Sequence, residues 1–156
     1  PAVVANGMPA GPSRPPPVPA CWNAMDRMLY TSLSRRASDL FDAGEHQAAI
    51  DIFRRLVDSD LPALDKAMMW LNIATVEHKR GNDSEALAAH DRANDQEREA
   101  GGYFVAQQSA AFLSQLGRYP DSIAAYRELL RRTDVSQPDA EIFQANIATL
   151  EKLAAS

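Results

Sequence analysis

The stretch NIATVE, Asn72–Glu77, returns almost unchanged 74 residues later as NIATLE, Asn146–Glu151. A near-duplicate of six residues asks whether the whole chain repeats. Three glycines answer it. Gly44, Gly81 and Gly117 lie 37 and 36 residues apart, each closing one helical stretch and preceding another. Aligned on them, Ala37, Ala74 and Ala110 fall into register. Beyond the glycines Ala49, Ala86 and Ser122 do the same, followed by Ile50, Leu87 and Ile123, by Phe53, His90 and Tyr126, and by Leu56, Ala93 and Leu129. Small residues at fixed points let paired helices approach closely, and larger ones fill the space between neighbours. The chain reads as a helix–turn–helix repeat with three full units. Ala148 sits 38 residues after Ala110, so NIATLE is the first helix of a fourth unit. The duplication is one helix face written again two repeats on.

Working outward, apolar residues recur at helical spacing through Trp22, Met25, Leu29, Leu33, Ala37, Leu40 and Phe41, with no Pro or Gly between them. Ala48, Ala49, Ile52, Phe53 and Leu56 mark a second helix. Pro62, placed as a first-turn proline, opens a third that runs to Arg80. Asn82 and Glu85 have the spacing of a capping box for a fourth, which Gly101–Gly102 end. A fifth spans about Tyr103–Leu116 and a sixth about Pro120–Arg132; Ser136, Pro138 and Asp139 form the start signal of a seventh. The expected architecture is all-α: a right-handed α-solenoid of antiparallel helix pairs. Its repeats are at about 30–62, 63–101 and 102–135, with a half-repeat helix at 136–156, all within one domain at 22–156. Residues 1–21 precede it as a linker or tail. Seven prolines in the first twenty residues favour an extended or polyproline II segment, and RPPPVP (Arg14–Pro19) carries a PxxP spacing suited to an aromatic groove.

Composition narrows the function. A chain of 156 residues suits a single domain, and its formal charge of −5 supplies no basic face for nucleic acid. The pairs Arg35–Arg36, Arg54–Arg55 and Arg131–Arg132 are interleaved with acids and read as solvated helix faces. Cys21 is alone, so an internal disulfide and zinc spacings are absent, which fits a reducing, cytoplasmic setting. No run of 18 apolar residues is present to span a membrane. Pro1 in place of Met suggests a fragment or a processed product.

Catalytic signals are missing. His46, His78 and His90 show no metal-binding spacing; His90 shares its register with Phe53 and Tyr126 and reads as core, as does His46. No phosphate loop, nucleophile elbow or paired-carboxylate signature appears, and no cofactor is implied. The expectation is a protein that is not an enzyme.

The registers resemble the tetratricopeptide repeat over about residues 30–156. The matching features are the small residue (Ala37, Ala74, Ala110, Ala148), the turn glycine, the second small residue, the aromatic-like position and the late Leu or Ala. Trp70 also sits where that family often has tryptophan. Leu33 and Ala106 replace that tryptophan elsewhere, Arg36 and Ser109 replace a usual leucine, and the closing proline gives way to Leu61, Arg98 and Asp134. The resemblance implies a scaffold whose first helices line a concave groove for a protein or peptide partner. One inner row would read Arg35, Asn72, Gln108 and Asn146, a ladder with three amides that offer both donors and an acceptor. Neighbouring rows would place Met68, Phe104 and Leu71, the hydroxyls of Ser38 and Thr75, and, toward one end, Phe41 and His78. One subclass of the family grips a peptide's C-terminal carboxylate with Lys, Asn and Arg. Only Asn72 matches that set here, while Ser34, Ser38, Phe104 and Gln108 stand at its other positions, so such a tail is not the expected ligand. The proline-rich tail is itself a candidate occupant of the groove. The alternative is an assembly domain, a homo-oligomer formed through that tail or through Ile142, Phe143, Ile147 and Leu150 of the last helix.

Overall fold

The computed structural model describes residues 24–155, with side chains from Arg27 onward. The proline-rich segment at 1–21 and Trp22 lie outside the described residues. Among those there are seven α-helices and no strand: α1 (Ala24–Asp42), α2 (His46–Val57), α3 (Ala63–Lys79), α4 (Asp83–Ala100), α5 (Phe104–Gln115), α6 (Tyr119–Leu130) and α7 (Gln137–Ala154). The protein is an all-α helical repeat, and each helix falls within a few residues of the bounds that periodicity predicts.

The turns explain why the period holds. At Gly44, Gly81 and Gly117 the backbone is left-handed, with φ of 80°, 81° and 72°. The residue after each glycine donates its N–H to a carbonyl five residues back: Glu45 to Leu40 (2.8 Å), Asn82 to Glu77 (2.9 Å) and Arg118 to Leu113 (2.9 Å). The glycine itself donates three residues back, to Phe41, His78 and Ser114. This is the Schellman arrangement, which satisfies the last carbonyls of a helix and needs a residue without a Cβ penalty at the left-handed position. Each first helix therefore reverses in the same way into its second. At Asn82 the structure departs from the capping-box expectation. The side chain makes no cap hydrogen bond and instead donates from Nδ2 to Glu77 Oε2 at 2.8 Å. Glu77 is buried, and an unpaired buried carboxylate costs more than an uncapped helix start exposed to water. At Ser136 the expected cap is present, its Oγ accepting from the Asp139 N–H at 3.2 Å. Pro62 stands one place before α3 as its N-cap residue rather than in its first turn.

The described helices fall into two compact units that divide between Gly101 and Gly102. In the first, α2 packs against α1 and α3, and α3 against α4. Its core holds Ala37, Ala49, Ile50, Phe53, Leu56, Ile73, Ala74, Val76, Ala86 and Ala93, the small and large registers of the repeat. Leu29, expected on the core face of α1, is 58% exposed. With 19 residues α1 outruns the 12 of α2, an overhang of about 10 Å at 1.5 Å per residue, and Leu29 sits on it.

The second unit packs α6 against α5 and α7 around Ala110, Ile123, Tyr126, Leu129, Phe143 and Leu150. Phe143 meets Tyr126 at 5.5 Å and, edge-on, Tyr103 at 6.3 Å between ring centroids. Ser122 takes the small-residue place of Ala49 and Ala86, and its hydroxyl donates to the Ala110 carbonyl at 2.6 Å. The expectation that α7 presents four apolar residues to a partner is corrected here. Phe143 and Leu150 are buried in this core and Ile147 packs against it, leaving Ile142 as the exposed one of the four. Ala148, whose counterparts Ala37, Ala74 and Ala110 are buried, is exposed.

Candidate functional site

The two copies of the opening hexamer show how one helix face divides its work. Ile73, Ala74 and Val76 go to the core, Thr75 turns outward and donates to its own helix at Leu71 (3.0 Å), and Asn72 stays half-buried at the border. The second copy repeats the pattern at Thr149, which donates to Ala145 at 3.0 Å. The amides differ. Asn72 makes no side-chain hydrogen bond among the described residues, whereas Asn146 hydrogen-bonds the Tyr126 hydroxyl, whose acidity burial suppresses. Asn146 is therefore committed to the interior of its own unit.

In the first unit the site residues lie on α1 and α3, which both pack against α2. Arg35 and Ser38 lie exposed on α1, and the Ser38 hydroxyl donates to the Ser34 carbonyl at 3.2 Å. Met68, Leu71 and Asn72 form a half-buried step on α3, with Thr75 exposed one turn on. Such a step offers an apolar floor with one amide on it. Phe41 and His78 sit at the hairpin ends instead. Phe41 packs on His46 at 5.6 Å between ring centroids, which leaves His46 half-buried rather than fully in the core. His78 Nδ1 lies 2.6 Å from Asp83 Oδ1, joining the last turn of α3 to the first of α4.

In the second unit Phe104 is 44% exposed at the start of α5, and Gln108 is half-buried one turn on with no side-chain hydrogen bond among the described residues. Ile142 of α7, in the register of Phe104, is 51% exposed.

Sequence reasoning missed two features of α1. Tyr30 lies close to Asp65 of α3: burial first, then the Asp65 carboxylate, raises its pKa. Burial likewise raises Asp65. The second feature is an open depression of about 370 Å³ lined by Arg27, Met28, Thr31, Ser32 and Arg35. The apolar periodicity that defines a helix says nothing about its polar stripe, so Arg27 carried no signal. Among the described residues no group of three or more His, Cys, Asp or Glu side chains is arranged to hold a metal ion, and no helix is long and apolar enough to cross a membrane.

The tetratricopeptide repeat family model matches residues 34–100. No curated protein matches the chain.

Proposed function

From the premise that residues 34–100 belong to the tetratricopeptide repeat family, whose repeats mediate protein–protein interaction, we propose that this chain is a non-catalytic module. Each unit by itself offers the exposed faces of its first helices to a peptide segment of a partner protein: α1 and α3 in one unit, α5 in the other. One observation carries the reading: Asn72 and Gln108, at equivalent places of successive repeats, keep side-chain amides that make no hydrogen bond among the described residues. A border amide with free donors and acceptor suits the backbone of an extended peptide, whatever its side chains. Met68 and Leu71 beside Asn72 in one unit, and Phe104 beside Gln108 in the other, supply apolar surface next to each amide.

Panning a peptide library against residues 1–156 tests this. Selected peptides should bind about two- to tenfold more weakly to Asn72→Ala or Gln108→Ala, the cost of one net hydrogen bond, with unchanged circular dichroism. Failure to select any peptide, or selected peptides indifferent to both substitutions, overturns the proposal. The assembly reading is weaker, because Phe143 and Leu150 serve the core of their own unit.

A further inference from the structure

The exposed side of α7 carries a pattern of its own. Phe143 and Leu150 serve the core of their unit and Ile147 packs against it. Beyond them Ile142 is 51% and Leu153 48% exposed, and Glu141, Ala145, Thr149 and Lys152 are exposed with them. Eleven positions separate Ile142 from Leu153, and eleven separate Glu141 from Lys152. Eleven residues make three helical turns to within about 20°, a rise of about 16 Å. Each pair therefore forms a row along the helix, one apolar and one charged, with Ala145 and Thr149 between the rows. Thr149 gives its hydroxyl proton to the Ala145 carbonyl at 3.0 Å, so it leaves no unpaired donor to be buried.

We infer that this face of α7 is a homodimer interface, on which a second copy of the chain lays its own α7 antiparallel. The pattern is its own complement about a two-fold axis level with Ile147. Around that axis each Ile142 comes level with the partner's Leu153, and each Glu141 with the partner's Lys152, both to within one residue's rise of about 1.5 Å. Ala145 comes level with the partner's Thr149. An antiparallel two-fold keeps each row on its own edge of the contact. Apolar side chains then meet on one edge, and opposite charges meet twice on the other. A parallel two-fold would set the charged row of each copy against the apolar row of its partner. The small side chains of Ala145 and Thr149 let the two axes approach to about 8 Å. Three turns of helix make a patch below the roughly 1,200 Å² at which specific interfaces become stable, so the dimer forms and dissolves with concentration. The inference is independent of peptide binding on α1, α3 and α5, in which α7 takes no part.

The test is sedimentation equilibrium of the full chain from about 10 µM to about 1 mM, where the molar mass should rise toward that of a dimer. Glu141→Lys alone, or Lys152→Glu alone, sets like charges together twice and should weaken association about fivefold or more. An equimolar mixture of the two variant proteins makes both contacts attractive again and should restore it, as should both substitutions in one chain. Ile142→Ser with Leu153→Ser should abolish it while circular dichroism stays unchanged, since neither side chain belongs to the core. A chain that remains monomeric throughout overturns the inference. So does a dimer indifferent to the single reversals, or a mixture as weak as its components. Concentration-dependent amide shifts centred on Met28–Leu29 or on Phe104, in place of Ile142–Leu153, put the contact elsewhere and overturn it too. A monomer in which library-selected peptides shift Ile142–Leu153 makes a peptide the occupant and overturns the second copy. Peptide binding at Asn72 and Gln108 is read separately, through its own substitutions.

Discussion

His90 shows what a single residue owes to its place in the repeat. It fills the position that Phe53 and Tyr126 fill in the neighbouring repeats and is 8% exposed. Burial lowers its pKa to about 4, with the charge of Asp91 pulling weakly the other way. The unfolded chain takes up the proton near pH 6.5. Between those values the unfolded state binds a proton that the folded state refuses, so stability is full above about 6.5 and falls as the pH drops toward 4. The loss amounts to roughly 3 kcal/mol at most. His90→Phe should flatten this acid sensitivity, read as urea midpoints at pH 7.5 and pH 4.5; parallel profiles for the two proteins would place its origin elsewhere. Register alone made His90 legible as core. It did not make Asn82 legible, because the competitor for its amide, Glu77, is a buried carboxylate that no local pattern announces. Arg27 stayed hidden for a related reason: exposed cations follow no period.

At the scale of the element, the turn decides more than the helix start. α2 and α6 begin at Glu45 and Arg118 without side-chain caps, yet both are placed by the glycine turn that precedes them. A Cβ built on Gly81 meets nothing within 4 Å, so the cost of Gly81→Ala is that of the left-handed backbone, about 1 kcal/mol. That should lower the melting temperature by about 2–4 °C for a chain of this size, measured by thermal circular dichroism, with Gly81→Asn losing less. An unchanged melting temperature would mean that the turn relaxes into another conformation. These glycines and Ser136 were readable in advance because a left-handed turn and an N-cap each demand particular residue types. The exposure of Leu29 was not readable, since it depends on the length of a different helix.

At the scale of the molecule, α7 behaves as a member of its core. Removing residues 137–156 would strip Phe143 and Leu150 from Ile123, Tyr126 and Leu129, where the loss of a single large core side chain costs about 3–5 kcal/mol. The expected outcome is collapse of the dispersed amide signals of Ala110, Ile123 and Tyr126, with a fall in helical signal larger than the share of α7. A fall confined to that share would show that α5 and α6 hold each other unaided. The all-α repeat was legible because the chain writes the same packing instruction several times, at Ala37, Ala74 and Ala110 and again beyond each glycine. The proposed binding faces were only partly legible. Asn72 and Asn146 come from nearly identical hexamers, and the phenol of Tyr126 alone separates an amide that is free from one that is spent.

Within each unit, principal packing joins helices that follow one another: α1 with α2, α2 with α3, α3 with α4, then α5 with α6 and α6 with α7. The folding chain seldom has to bring distant stretches of polypeptide together, because most partners arrive as soon as the next helix forms. Low contact order of this kind goes with refolding in microseconds to milliseconds, and a nascent chain can begin packing each hairpin while the next is still being made.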